Sequence, residues 1–309
     1  MTSMFQTRLS VMQAPIGGSV SPELVAAVGV AGGLGTLPCR TPEQLVADIE
    51  ALRSVAGDVP FAVNLLGKSD VDRQVSVILD LEVPVAHWSW GVQASQVERL
   101  RRGGVYCTAQ VGSVIEAVTA EAAGIQALIV QGCEAGGGIQ GEVARDVLLG
   151  QVRRFASVPV GAAGGISSAA QADRVRSLGA EGVMAGTSFI ATSESRSHPV
   201  WVEAALAASG DDTVVSLLFS EGDPTYRQRT LRNRVVEEWL SAGSPGPGKR
   251  PGEGEVVARY GSSEVTRYSD TLPLKGMTGS LDLLQMPAGK GVGTINEVLP
   301  AADVVGRLE

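Results

Sequence analysis

Aromatic side chains make up only 4% of the 309 residues, so any core must be built from Val, Leu, Ile and Ala, as suits a parallel sheet covered by helices. Histidine is nearly absent, with two residues, and the three cysteines (Cys39, Cys107 and Cys133) show no CxxC or Cys/His spacing. That pattern excludes a sequence-readable metal centre and a disulfide framework, and it suits a reduced, cytoplasmic protein. No apolar run approaches the roughly 20 residues of a membrane span, and residues 1–10 carry no apolar segment of a signal peptide. Basic residues are outnumbered, 25 against 33 acidic, for a net charge of −8, so neither a nucleic-acid partner nor a membrane surface is expected. A nucleotide-binding GxGxxG after the first strand is also missing; the chain reads Gln13-Ala14-Pro15-Ile16-Gly17-Gly18 there.

What is present is a β-then-α period. Short apolar runs at 9–14, 33–37, 60–65, 84–88, 104–109, 127–131, 158–163 and 182–185 read as eight strands. Helical patterns follow at 22–31, 42–55, 70–81, 94–102, 114–123, 143–154 and 168–178, the first two opened by Ser21-Pro22 and Thr41-Pro42-Glu43. Eight strands, most of them followed by a helix, predict a (β/α)8 barrel over 1–210; a doubly wound open sheet is the competitor. Residues 211–284 are expected to form a lid with a flexible Ser/Pro/Gly-rich loop at 241–254. Residues 285–309 are expected to end in a helix that packs back on the barrel.

Unusual residues collect where strands end, the rim that carries ligands in such barrels. Strand one ends in Gln13-Ala14-Pro15, strand three at Asn64 and strand six at Gln131. Strand seven runs into Ala163-Gly164-Gly165 and strand eight into Met184-Ala185-Gly186-Thr187. Glycines before a helix let backbone N–H groups approach an anion. Two such ends in succession suggest a phosphate site, although tight turns alone would use the same residues. The neutral amides of Asn64 and Gln131 suit a heterocycle offering donors and acceptors, so a phosphate-bearing aromatic cofactor is expected.

With Met12-Gln13-Ala14-Pro15, Ala31-Gly32-Gly33-Leu34-Gly35, Val63-Asn64-Leu65, Gln131 to Gly137, Ala162 to Ile166, Gly186-Thr187-Ser188-Phe189 and Ala288 to Val292 in this order, the chain resembles the nitronate monooxygenases, formerly called 2-nitropropane dioxygenases. The resemblance implies a TIM barrel with a smaller, mostly helical lid near the C-terminus and FMN on the rim. Asn64, Gln131 and Gly136 would contact the flavin, with Gln13, Ala14, Pro15, Gly137 and Gly164 beside them; Gly165 and Met184 to Thr187 would hold its ring edge and phosphate. It implies oxidation of alkyl nitronates by O2 to carbonyl compounds and nitrite. An FMN-dependent NAD(P)H enoyl or quinone reductase is the alternative, and a flavin-binding barrel without catalysis a third. The substrate would be a small molecule, and a homodimer is an open alternative to a monomer.

One position departs from the family pattern. The motif usually reads Glu-Ala-Gly-Gly-His, whereas here Glu134-Ala135-Gly136-Gly137 is followed by Gly138. A glycine is neither base nor anion partner. A nitronate is already deprotonated and needs no base, whereas a neutral nitroalkane does. His87, near the end of strand four in Ala86-His87-Trp88-Ser89-Trp90, is the candidate replacement, with Trp88 or Trp90 as a wall. Cys133 is a second catalytic candidate, or a buried thiol. Glu134 is expected to anchor the loop and His198 to start a helix. Tyr226, Arg227 and Arg229 read as surface or lid residues, and Arg232-Asn233 as a solvated run or an anion contact.

Overall fold

Alternation decides which way each strand faces, and it is visible along every one. Val11, Val63, Leu65, Ala86, Trp88, Leu128 and Val130 point outward into a core shared with the helices. Met12, Leu34, Ala62, Val85, Ile129, Ala163 and Met184 point inward and fill the centre. The computed structural model describes residues 4–220, 223 and 225–309.

The eight parallel strands are Val11–Gln13, Gly35–Leu37, Phe61–Leu66, Val85–Ser89, Tyr106–Val111, Ala127–Gln131, Val160–Ala163 and Val183–Ala185. Seven neighbour pairs are laddered, and strand one pairs with strand eight in the register Met12 to Met184. The seam between strands one and two is closed by the Met12–Leu34 bridge, so the sheet forms a (β/α)8 barrel. Met4 and Phe5 plug its N-terminal end: a Cβ on Gly182, just before strand eight, would lie 2.7 Å from the Met4 sulfur and 2.8 Å from the Phe5 ring.

The helices start where side-chain caps are available. Ser21 accepts from the Leu24 N–H at 3.1 Å ahead of Pro22–Val30, Thr41 from Gln44 ahead of Pro42–Ala56, and Ser113 from Glu116 ahead of Val114–Ala122. The last helix, Ala301–Leu308, buries Ala301, Val304, Val305 and Leu308 in the same outer core.

The segment over 211–284 differs from the mostly helical lid the resemblance implied. It holds one α-helix, Arg234–Ser241, and five strands among the described residues. Val256–Tyr260, Ser263–Thr266 and Met277–Gly279 make one antiparallel sheet. Thr213–Ser216 and Gln228–Leu231 make another, whose third strand is Gly137–Gly138 of the glycine-rich loop. Two glycines carry no side-chain signal for a strand; pairing with Gln228 and Arg229 makes them one. Residues 241–254 form turns after the helix.

Candidate functional site

A cavity of about 610 Å3 opens at the C-terminal ends of the strands. Its size lies in the range of small-molecule and cofactor sites. Ala14, Pro15, Asn64, Gln131, Gly136, Gly137, Gly164, Gly165, Met184, Ala185, Gly186 and Thr187, all singled out in the sequence, line it together.

Three candidates are placed elsewhere. Gln13 is fully buried in the seam, where its Oε1 accepts from the Thr36 N–H at 3.0 Å, so it replaces ladder pairing between strands one and two. His87 is also fully buried. It shares the inward face of strand four with Val85 and Ser89, one layer beneath the cavity-lining Ser89. Its Nδ1 meets Thr108 Oγ1 at 2.9 Å, and its Nε2 has no partner among the described residues. Burial lowers its pKa to about 3, so at neutral pH it is uncharged and out of reach of a substrate in the cavity. Cys133 does not line the cavity; its N–H donates to Val143 O at 3.0 Å, and its carbonyl accepts from Arg229 Nη2 at 2.8 Å. Neither His87 nor Cys133 is in position to act on a bound molecule.

The rim is assembled by loops that brace one another. Gln131 clamps the glycine-rich loop: its Nε2 donates to Gly138 O at 3.1 Å and its Oε1 accepts from Gln140 N at 2.8 Å. The Glu134 carboxylate accepts the Arg145 N–H at 3.0 Å, the anchoring role expected of it. Gly136 is pressed against the 288–289 segment, where a Cβ would lie 2.4 Å from Gly289 N. Gly289 N in turn donates to Thr187 Oγ1 at 3.0 Å. Asn64 donates from Nδ2 to His87 O at 3.0 Å and Ser89 Oγ at 2.8 Å, which leaves its carbonyl oxygen as an acceptor in the cavity wall.

The strand-seven turn depends on glycine. Gly164 and Gly165 have φ of +102° and +65°, and a Cβ on Gly164 would lie 3.0 Å from Gly132 O. Arg145, only 7% exposed, donates from Nη1 to Gly164 O at 2.8 Å. In a trans peptide the N–H opposes the C=O. Drawing the Gly164 carbonyl outward to Arg145 therefore turns the Gly165 N–H toward the cavity. No protein group accepts from the N–H of Gly165, Ile166, Gly186 or Thr187 among the described residues. These donors stand together where strands seven and eight end, a neutral cradle that fits a phosphate. No Lys or Arg lines the cavity among the described residues, and Asp270 is its one carboxylate.

The other wall combines lid residues with residues of the barrel loops and of the 285–309 segment. Trp90, Tyr226, Gln228, Asp270 and Gln285 face the same cavity, as does Cys39, whose thiol is pushed up by burial. Trp90, named as one of two possible walls, is the one that faces the cavity, whereas Trp88 is buried in the outer core. Tyr226 read as a surface or lid residue and belongs to the site. Asp270 and Gln285 stand in no motif and were invisible in sequence. Trp90 and Tyr226 are packed with ring centroids 5.2 Å apart. A Cβ on Gly138 would lie 2.8 Å from both rings, so the aromatic pair takes up the space a side chain there would need. Arg232 pairs with Glu237 at 2.9 Å, and Asn233 caps the helix that follows, so neither reaches the cavity. His198 caps Pro199–Ala207.

The family model for nitronate monooxygenase matches residues 1–72 and 66–308. A probable nitronate monooxygenase of Staphylococcus aureus (strain JH9) is 29% identical over 287 residues, covering 77% of this chain and 79% of its own length. Among solved structures, FabK from Thermotoga maritima is similar with a TM-score of 0.83 at 29% identity, over 99% of this chain and 93% of the other. Nitroalkane oxidase from Streptomyces ansochromogenes has a TM-score of 0.77 at 26% identity, over 98% and 95% of the two chains.

Proposed function

The chain belongs to the nitronate monooxygenase family and is an oxidoreductase of that type, and from this premise we propose that it oxidises alkyl nitronates with O2 to carbonyl compounds and nitrite, using FMN. The observation that carries the reading is the paired cradle. Two strand ends present N–H groups that no acceptor among the described residues uses, on one side of a cavity that no Lys or Arg among them lines and that holds a single carboxylate, Asp270, across from them in the lid wall.

FMN fits these residues. The N–H groups of Gly165, Ile166, Gly186 and Thr187 would hold its phosphate. Met184 and Ala185 would lie along the ring edge, and the Asn64 carbonyl oxygen would accept from the ring system. Bound there, the flavin supplies one-electron exchange between nitronate and oxygen. The chain's own residues bind, orient and exclude water: Gln131 and Glu134 keep the loop in place, while Trp90 and Tyr226 roof the reacting face. His87 and Cys133 do not reach the cavity to abstract a proton, and the substrate on this reading enters as the preformed anion. A cytoplasmic location fits the three free cysteines, and no helix among the described residues is long and apolar enough to cross a membrane.

The test is oxygen consumption by the FMN-reconstituted protein, with a nitronate and its neutral nitroalkane at equal concentration. Uptake with nitrite release from the nitronate, and far less from the nitroalkane, is expected. No uptake from flavin-loaded protein overturns the reading, and bleaching of the flavin by NAD(P)H would then make the protein a reductase.

A further inference from the structure

We propose that the Tyr226 hydroxyl is the hydrogen-bond donor to the substrate's oxygen, supplied from the lid in place of any side chain at position 138. The proposal rests on the reading of this cavity as the site of a nitronate-type oxidoreductase. Three observations converge on it. Gly138 offers no side-chain group, and the Tyr226 oxygen lies 3.1 Å from where its Cβ would stand. The hydroxyl therefore sits where a side chain at 138 would begin. Tyr226 lines the cavity, and its hydroxyl makes no hydrogen bond within the described residues, unlike the Gln131 amide, which is engaged on both sides.

The ring is also held in place. It packs on Trp90, which adopts a left-handed φ of +60° that a bulky residue keeps only when its surroundings enforce it. Lys68 Nζ lies 4.8 Å over the Trp90 ring and reaches Thr225 Oγ1 at 3.4 Å, next to Tyr226 in the chain. Barrel loop and lid are thus joined around the two rings.

Among the described residues, the charged groups around Tyr226 are Asp270 in the cavity wall, Asp223 against its backbone N–H, Lys68 beyond Trp90, and the Arg227–Glu142 ion pair beside it. Burial, and then the Asp270 charge, raise the tyrosine pKa above its ordinary value near 10. The hydroxyl keeps its proton across the neutral range and remains a donor there. The matching ligand is a small molecule whose acceptor oxygen is conjugated to the reacting carbon. A nitronate oxygen is one such group and an enone carbonyl is another.

Tyr226→Phe removes the hydroxyl and keeps the ring. FMN titration of the variant should match the native protein. The KM for propane-2-nitronate should rise roughly 10- to 100-fold, the loss of a hydrogen bond to a charged partner, with kcat changed less. Isobutyrate, a planar carboxylate of similar shape, should perturb the absorbance of bound flavin in the native protein and far more weakly in the variant. Native KM should be level from about pH 7 to 9 and rise only near the tyrosine pKa. An unchanged KM and isobutyrate response, a variant that no longer takes up FMN, or a KM that breaks near pH 6.5 would each overturn the proposal. If the native protein turns over no nitronate, the functional reading fails, and the isobutyrate comparison still decides the role of Tyr226. NADH-supported enone reduction that is lost in the same variant would assign the hydroxyl to a carbonyl substrate.

Discussion

Gly138 is unusual because its surroundings, not its backbone, exclude a side chain. Its φ is not in the left-handed region, so a larger residue there is opposed by sterics alone. A Cβ at 2.8 Å from two rings must push Trp90 or Tyr226 aside. We expect Gly138→Ala to lower stability by about 1–3 kcal/mol, the usual cost of overpacking, read from urea unfolding. The loss should shrink in a Tyr226→Ala background, because the two positions share one space and are not additive. An equal loss in both backgrounds would mean that the rings do not set the limit. The sequence disclosed that position 138 lacked the usual histidine. It did not disclose that two aromatics, 48 residues before and 88 residues after it, meet over the gap, because no local pattern links them.

Strand, turn and helix form the next scale, and here the sequence was most legible. The strand at Ala127–Gln131 and the helix at Ala94–Arg102 have the boundaries read from sequence, since apolar alternation and flanking glycine or polar residues mark both ends. The caps at Ser21 and Thr41 fall where Ser-Pro and Thr-Pro put them. Arg145 shows what a motif reading leaves out. It lies outside the glycine-rich run yet fixes the peptide that aims the Gly165 N–H at the proposed phosphate. Arg145→Met should weaken FMN binding roughly 10-fold or more, through loss of a charged hydrogen bond to Gly164 O. Riboflavin, which has no phosphate, should bind almost as before. Equal losses for the two flavins, compared by fluorescence titration, would place the effect on the fold of the turn instead.

At the scale of the whole molecule, His87 sets an acid limit. Its folded pKa of about 3 lies below the ordinary 6.5, so between these values the unfolded chain binds a proton that the native barrel excludes. Stability therefore falls as pH drops from about 6.5 toward 3, with a slope approaching ~1.4 kcal/mol per pH unit, and this contribution levels off below. In His87→Gln the slope over that window should be smaller by about one proton, read from urea midpoints at several pH values. Identical slopes would show that His87 stays accessible to protons in the native state.

By itself the sequence determined the barrel, since short apolar strands are local signals repeated eight times along the chain, most of them followed by a helical pattern. It also determined most of the rim, because glycines and amides at strand ends are unusual wherever the strands lie. The tertiary structure decided the rest. Gln13 turned into the seam because strands one and two share only a single bridge and need its amide. His87 and Cys133 fell outside the cavity because a position near a strand end fixes neither the layer nor the direction of a side chain. The lid became a strand-rich wall because Gly137 and Gly138 pair with residues about 90 positions away. Contacts of that separation leave no period in the sequence, and only the folded chain brings them together.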